Sequence, residues 1–425
     1  MQLMVVLQSF TCVLLMRHTY GSDNWNAYIN GIQEQISLPE VQEFSEKAGK
    51  IPIKRKRFAC PDMKPSSEVP SSAHQIKPAD VKIIAALGGS LIAGTGINAT
   101  SNEEIFIEYR HLSWSIGGFG NFSDMITLPN IFKLFNPDII GFSKDLTQKN
   151  KPTTVNITGF NFGASNTHSH DLPDQTRHLI STMKAYPDIS FDNDWKLVTI
   201  FIGANDLCNY CHNKDLFSAD SFISNVRESL DILYKELPRA LINVVQIFWM
   251  EGLRHIKKRK ESCLVLKKLC SCIIEPGENY AELNEVLEQS DLYQAKLEAL
   301  IESGRYDDKE NFAVLFQPFL KKARPPRDMK GNIDYSYYAL DCFHFSIKGN
   351  EELAKALWNN MLQRHGEKVE VESFSEPIKM ICPTTHHPYI YTRNNTHEPT
   401  TLASTTLNGS YLIILFLLIL ELEFL

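Results

Sequence analysis

The sequence has no excess of positive charge, no internal repeat and no apolar run of transmembrane length. Its 43 lysines and arginines stand against 50 aspartates and glutamates, a net charge of −7. That balance gives no electrostatic footprint for nucleic acid. Two basic clusters, Lys54–Arg57 and Lys257–Lys260, read as solvated loops; the first, just ahead of Cys60, alternatively suits a processing protease in a secretory chain. The apolar stretches at the two ends, Leu3–Met16 and Tyr411–Leu420, are too short as helices for a hydrocarbon core roughly 30 Å thick.

What is there points out of the cytosol. Leu3–Met16 has the length of a signal-peptide core, although no Lys or Arg precedes it, and a cut near Tyr20–Ser22 is expected. Asn-x-Ser/Thr sequons begin at Asn98, Asn121, Asn156, Asn394 and Asn408, which suits the same route. Of nine cysteines, Cys12 lies in the leader. The other eight make an even number, as a disulfide framework requires, with the pairing left open. The C-terminal apolar stretch follows a Thr/Ser/Asn-rich spacer and is interrupted by Glu421 and Glu423. It reads as a lipid-anchor signal, a marginal membrane segment or a terminal irregularity.

With 43% hydrophobic residues the chain can bury a large core. Apolar runs at Lys82–Leu87, Lys196–Ile202, Ala240–Phe248 and Phe312–Phe316 read as buried strands, with a weaker fifth near Thr154–Phe162. Segments of helical spacing separate or follow them: Asp171–Lys184, Asp220–Glu236, Tyr280–Ser303 and Ile347–Arg364. Alternation of this kind predicts an α/β fold with a mostly parallel sheet covered on both faces.

In such sheets reactive groups collect where strands end. Ser90, after Gly88-Gly89, can present its hydroxyl and its own N–H on the turn following the first strand. Asn205, in Gly203-Ala204-Asn205-Asp206, offers a neutral amide donor for a developing oxyanion. Asp341 and His344, three apart on a late loop, can pair carboxylate with imidazole. Each fragment alone reads as a turn or a cap. Their combination is more specific: Ser, then Gly-x-Asn-Asp, then Asp-x-x-His resembles the GDSL/SGNH hydrolases. Longer strings, among them Ser113–Gly118, Asp194–Thr199, Asn205–Cys211, Asp341–Ser346 and Ala356–Leu362, are similar to the membrane-associated phospholipase B family in particular.

That resemblance implies a three-layer α/β/α sandwich of flavodoxin-like type with about five strands. It implies Ser90 as nucleophile, His344 as base and Asp341 as its orienting acid. The oxyanion would be held by the N–H of Ser90, the N–H of Asn166 and the side chain of Asn205. The expected reaction is hydrolysis of acyl esters of phospholipids and lysophospholipids, with no cofactor and no metal. The expected partners are the lipid substrate and a membrane surface, not nucleic acid. The expected location is the secretory route, ending secreted or on the outer face of the plasma membrane. The expected organisation is a leader (1–21), an N-terminal extension (22–78), the esterase domain (79–366), a tail and stalk (367–406) and a hydrophobic terminus (407–425). Two departures from the family pattern keep an alternative open: Gly89 replaces its usual Asp, and Asn166 replaces the glycine that normally offers the second oxyanion N–H. A weakened or inactive relative that binds lipid or a partner would also fit them.

Other signals lead elsewhere less well. Cys208–His212 matches a haem-attachment pattern, and Cys208, Cys211, Cys270 and Cys272 could ligate zinc, but C-x-C spacing in an oxidising route favours disulfides. His168 and His170 read as part of a polar loop before the helix at Asp171.

Overall fold

The computed structural model describes residues 58–396, apart from 149–150, 152, 258–263 and 279. The leader, Lys54–Arg57, Cys263, Asn408 and the C-terminal apolar stretch lie outside the described residues. Among the described residues, no helix is long and apolar enough to cross a membrane.

Four strands form one parallel sheet in the order β1-β2-β3-β4: β1 Val81–Gly88, β2 Trp195–Phe201, β3 Ala240–Val245 and β4 Phe312–Gln317. Nearly every strand residue is buried, so both faces must be covered. Four long helices supply the cover: α1 Leu172–Ala185, α2 Ala219–Glu236, α3 Ala281–Glu302 and α4 Ile347–Met361. The first three connect neighbouring strands in sequence. Right-handed crossovers taken in one direction put all three on one face, where α1 packs on α2 and α2 on α3. Helix α4 packs against β4 and the short helix Leu128–Phe132, forming the third layer.

The fold class is the one the sequence predicts, but the expected fifth strand is not formed as such. Val155–Thr158 makes a helical turn, ended by Gly159 at φ 59°. Only the residues after it run along the outer edge of β1: Ala86 N–H donates to Phe160 O, and Phe162 N–H donates to Ala86 O, at 3.0 and 2.9 Å. The edge is therefore sheathed by bridges rather than by a paired strand.

The tail after α4 is irregular yet anchored. Trp358 N–H donates to Ile381 O, and Cys382 is bonded to Cys60. Cys208–Cys270 and Cys211–Cys272 are the other disulfides with both partners described; Cys342 is disulfide-bonded as well. Trp114 and Trp358 are fully buried.

Candidate active site

The C-terminal ends of β1 and β2 converge on the site. β1 stops at Gly88, whose φ of 142° suits glycine, and a Cβ there would lie 2.0 Å from Phe201 O. The strand ends must approach this closely for the next residues to turn outward. Gln175 of α1 fixes the turn from the other side: its amide accepts from Gly88 N–H at 2.9 Å and donates to Gly88 O at 3.0 Å. Two residues on, Ser90 opens the short helix Ser90–Ala93.

Asp341 and His344 arrive on the loop between β4 and α4. Cys342 takes φ 57°, which folds the loop so that the Asp341 carboxylate accepts from the N–H of Phe343 and of His344, each at 2.9 Å. The same carboxylate meets His344 Nδ1 at 2.5 Å, and His344 Nε2 meets Ser90 Oγ at 2.7 Å. A carboxylate only accepts, so Nδ1 carries the proton and Nε2 is left to accept from the Ser90 hydroxyl. Asp341 is fully buried. Burial pushes its carboxyl up, but the facing imidazole and the two N–H donors outweigh burial and hold its pKa below the ordinary value. An arrangement of this kind can draw a proton from the hydroxyl and stabilise the imidazolium that results.

Asn205 follows β2 and Gly203, whose φ is 113°. One N–H of its amide donates to Thr167 O at 2.9 Å, leaving the second for another acceptor. Asn166 adopts φ 62°, a left-handed conformation that Asn tolerates better than most residues. Among the described residues, neither the Ser90 N–H nor the Asn166 N–H is spent on another group. Gly163 packs beneath the Ser90 helix, where a Cβ would lie 2.6 Å from Ile92 Cγ2.

Ser90, Asn166, Asn205, Asp341 and His344 all line one cleft of about 750 Å³. Its walls include the apolar side chains of Ile105, Phe106, Phe217, Leu269 and Phe343, while His212, Lys268 and Glu275 add polar character. The structure thus brings every sequence-predicted site residue together. Sequence reasoning passed over Glu108, Arg110 and Asp206, which hold the loop carrying Asn166. Asp206 stood in a motif already quoted, but nothing in the pattern around Glu108 and Arg110 signals their position.

Two groups of described residues bring metal-capable atoms within 4.8 Å of one another. Cys211, His212 and Cys272 form one, but its cysteines share a disulfide and offer no thiolate. His168, His170 and Asp171 form the other. The two imidazoles stack with planes 5° apart, His168 lies against Phe217, and its Nε2 meets Asn209 Nδ2. His168 Nε2 is thus already engaged by the Asn209 amide, so this pair suits packing better than ligation.

The GDSL-like Lipase/Acylhydrolase family model matches residues 84–357. The chain is similar to "Phospholipase B1, membrane-associated" of Rattus norvegicus, with 38% identity over 375 residues, covering 87% of this chain and 25% of the relative. The Homo sapiens protein of the same name is 38% identical over 376 residues, with the same coverage of each. That of Mus musculus is 40% identical over 345 residues, covering 80% and 23%. The chain spans about a quarter of the length of the curated relatives it matches.

Proposed function

The chain belongs to the GDSL-like lipase/acylhydrolase family, and from that premise we propose that it is a serine esterase releasing fatty acid from phospholipids and lysophospholipids. The observation that carries this reading is the continuous contact from Ser90 Oγ through His344 to buried Asp341 on the wall of a largely apolar cleft. The lipid substrate follows from what the relatives are named for, and the apolar walls suit an acyl chain.

In the proposed mechanism Ser90 Oγ attacks the ester carbonyl carbon while His344 Nε2 takes the hydroxyl proton. The carbonyl π pair moves onto oxygen, which accepts from the Ser90 and Asn166 N–H groups and the free N–H of Asn205. Collapse expels the alcohol, which receives the proton from His344. Water then repeats the sequence on the acyl-enzyme: His344 takes its proton, and Ser90 leaves with that proton as the fatty acid forms. Asp341 holds the imidazole in the tautomer that makes each transfer possible. One oxyanion donor is typically worth about 3–4 kcal/mol of barrier.

The alternative, a fold that binds lipid without turning it over, rested on Gly89 and Asn166. The left-handed Asn166 backbone and the uncommitted N–H groups favour turnover instead. The deciding assay compares purified protein with Ser90→Ala on phosphatidylcholine and lysophosphatidylcholine. Fatty-acid release by the parent, reduced at least about 10³-fold in Ser90→Ala, is expected. Equal release by both would sink the esterase reading. A membrane surface as the working site, and a secreted or surface-held location, belong to the same proposal; they are tested by cosedimentation with phosphatidylcholine vesicles and by surface labelling of cells expressing the chain.

A further inference from the structure

We infer that Glu108 and Asp206 are positioning residues that clamp the oxyanion loop from opposite ends, an inference that rests on the esterase reading above. The loop from Ser165 to Ser169 controls two of the three proposed donors. It carries Asn166 in its left-handed conformation, and its Thr167 carbonyl orients the Asn205 amide at 2.9 Å. A shift of this loop would therefore displace both donors at once.

Each end is tied to a carboxylate by the backbone as well as the side chain. At the entry, Ser165 donates from N–H and from Oγ–H to the same oxygen, Glu108 Oε1, both at 3.0 Å. The other oxygen, Oε2, accepts from Arg110 at 2.5 Å and from Thr147 Oγ1 at 2.8 Å. Arg110 is itself fixed by Asn161 O and Thr147, so Glu108 is a held post and not a swinging side chain. At the exit, Ser169 N–H donates to both Asp206 oxygens at 3.0 Å, and its hydroxyl donates to Oδ1 at 2.5 Å. Asp206 is fully buried and directly follows Asn205. One short helix thus carries both the oxyanion amide and the anchor that sets the loop it must match.

Thr95 Oγ1 also contacts Ser165 Oγ at 2.8 Å, but it offers the loop no backbone acceptor. Charge-assisted bonds to backbone N–H are stronger than neutral ones, and they fix the chain itself. Neither carboxylate need touch substrate. Their effect is on where the donors sit, and an offset of about 1 Å at such a site can cost on the order of 100-fold in rate.

The test uses Glu108→Gln, Asp206→Asn, Ser165→Ala and Ser169→Ala in the full chain, assayed on a soluble short-chain aryl ester. Affinity for an alkylboronic acid, whose tetrahedral adduct on Ser90 occupies the oxyanion site, is read alongside. Glu352→Gln serves as comparator: this buried carboxylate also anchors a loop N–H, that of Ile378, outside the cleft. The carboxylate variants should lose about 10- to 100-fold in kcat with KM within about twofold and boronate affinity falling in parallel. The serine variants should lose less in the same pattern, and Glu352→Gln should lower Tm while leaving kcat unchanged. If kcat and boronate affinity stay within about twofold of the parent in folded carboxylate variants, the clamp is overturned while the esterase reading stands. Should those variants fail to fold, unchanged kcat and boronate affinity in both serine variants overturn it equally. A parent protein with neither turnover nor fluorophosphonate labelling of Ser90 overturns both.

Discussion

His344 has no room to choose its tautomer, and that restriction makes a single-atom substitution informative. In Asp341→Asn an amide oxygen could still accept from Phe343 and His344 N–H, so the loop should keep its shape. The amide NH₂ would then face His344 Nδ1 and force the proton onto Nε2, where it points at Ser90 instead of receiving from it. We expect kcat to fall about 10⁴-fold, with Tm changed by only a few degrees. A loss below about tenfold would mean that the contact is structural. Gly89 gives the opposite expectation. Its φ of −94° is open to any residue. A Cβ would meet Asn205 Nδ2 and Thr167 O at 3.6 Å and Ile202 Cδ1 at 3.9 Å, which is ordinary contact. Gly89→Ala should fold normally and keep kcat/KM within about threefold, since less than about 1 kcal/mol of barrier is at stake. A collapse of activity would show that the empty space beside Ser90 is itself needed. Ser90, Asn205, Asp341 and His344 were legible because each sits in a string whose chemistry is local. Asn166 was legible only through the family pattern, in which a glycine stands at its place. Glu108 was invisible, because Ser165, the loop residue it holds, lies 57 residues away in sequence and no spacing rule connects the two.

At the scale of elements, strands buried on both faces announce themselves as apolar runs, and all four were read within a few residues. The misread segment, Thr154–Phe162, has the β-branched residues of a strand in Val155 and Ile157. Both are only half-buried, and Gly159 turns the chain before it reaches β1. Composition can indicate the strand habit, but not whether a neighbour is available to pair. Cysteine pairing was illegible for a related reason, since proximity arises only in three dimensions. The two bridges Cys208–Cys270 and Cys211–Cys272 span 62 and 61 residues, yet they join the same two segments. Once one is closed, the second constrains a loop of only a few residues. Chain-entropy reasoning gives about 4 kcal/mol for a first closure of this length and much less for the second. Replacing either pair by alanine should therefore cost about 2 kcal/mol, and replacing both about 6 kcal/mol, roughly 2 kcal/mol more than the sum of the single losses. Denaturant midpoints of the three variants measure this. Equal, additive losses would mean that packing around the buried sulfurs outweighs chain entropy.

Across the whole molecule, burial works against positive charge at many separate points. His74, His111, His168 and His387 are all pushed below their ordinary value of 6.5, chiefly by burial. Burial likewise lowers Lys133 and Lys196 to about 8 and Lys368 to about 7, from 10.5. For each of these groups the unfolded chain binds its proton at higher pH than the folded one does, so stability rises with pH across the interval between the two values. The lysines act from about 7 to about 10 and the histidines below about 6.5. Asp341 and Glu108, held low by their partners against the burial that raises them, lose their contribution as pH falls through their folded values. Asp206, raised by burial, works in the opposite direction as one group against many. Tyr109 and Tyr337, pushed up to about 12 by burial, reverse the trend once the unfolded phenols ionise near 10. Tm should therefore climb from pH 5 to a broad maximum near pH 8–10 and decline beyond it, as read by circular dichroism at fixed ionic strength. Lys368→Met should flatten the rise between pH 7 and 10, because it removes the group with the widest interval. A Tm that falls from pH 5 to pH 8 would show that the raised carboxylate, and not the buried cations, governs the protein's acid response.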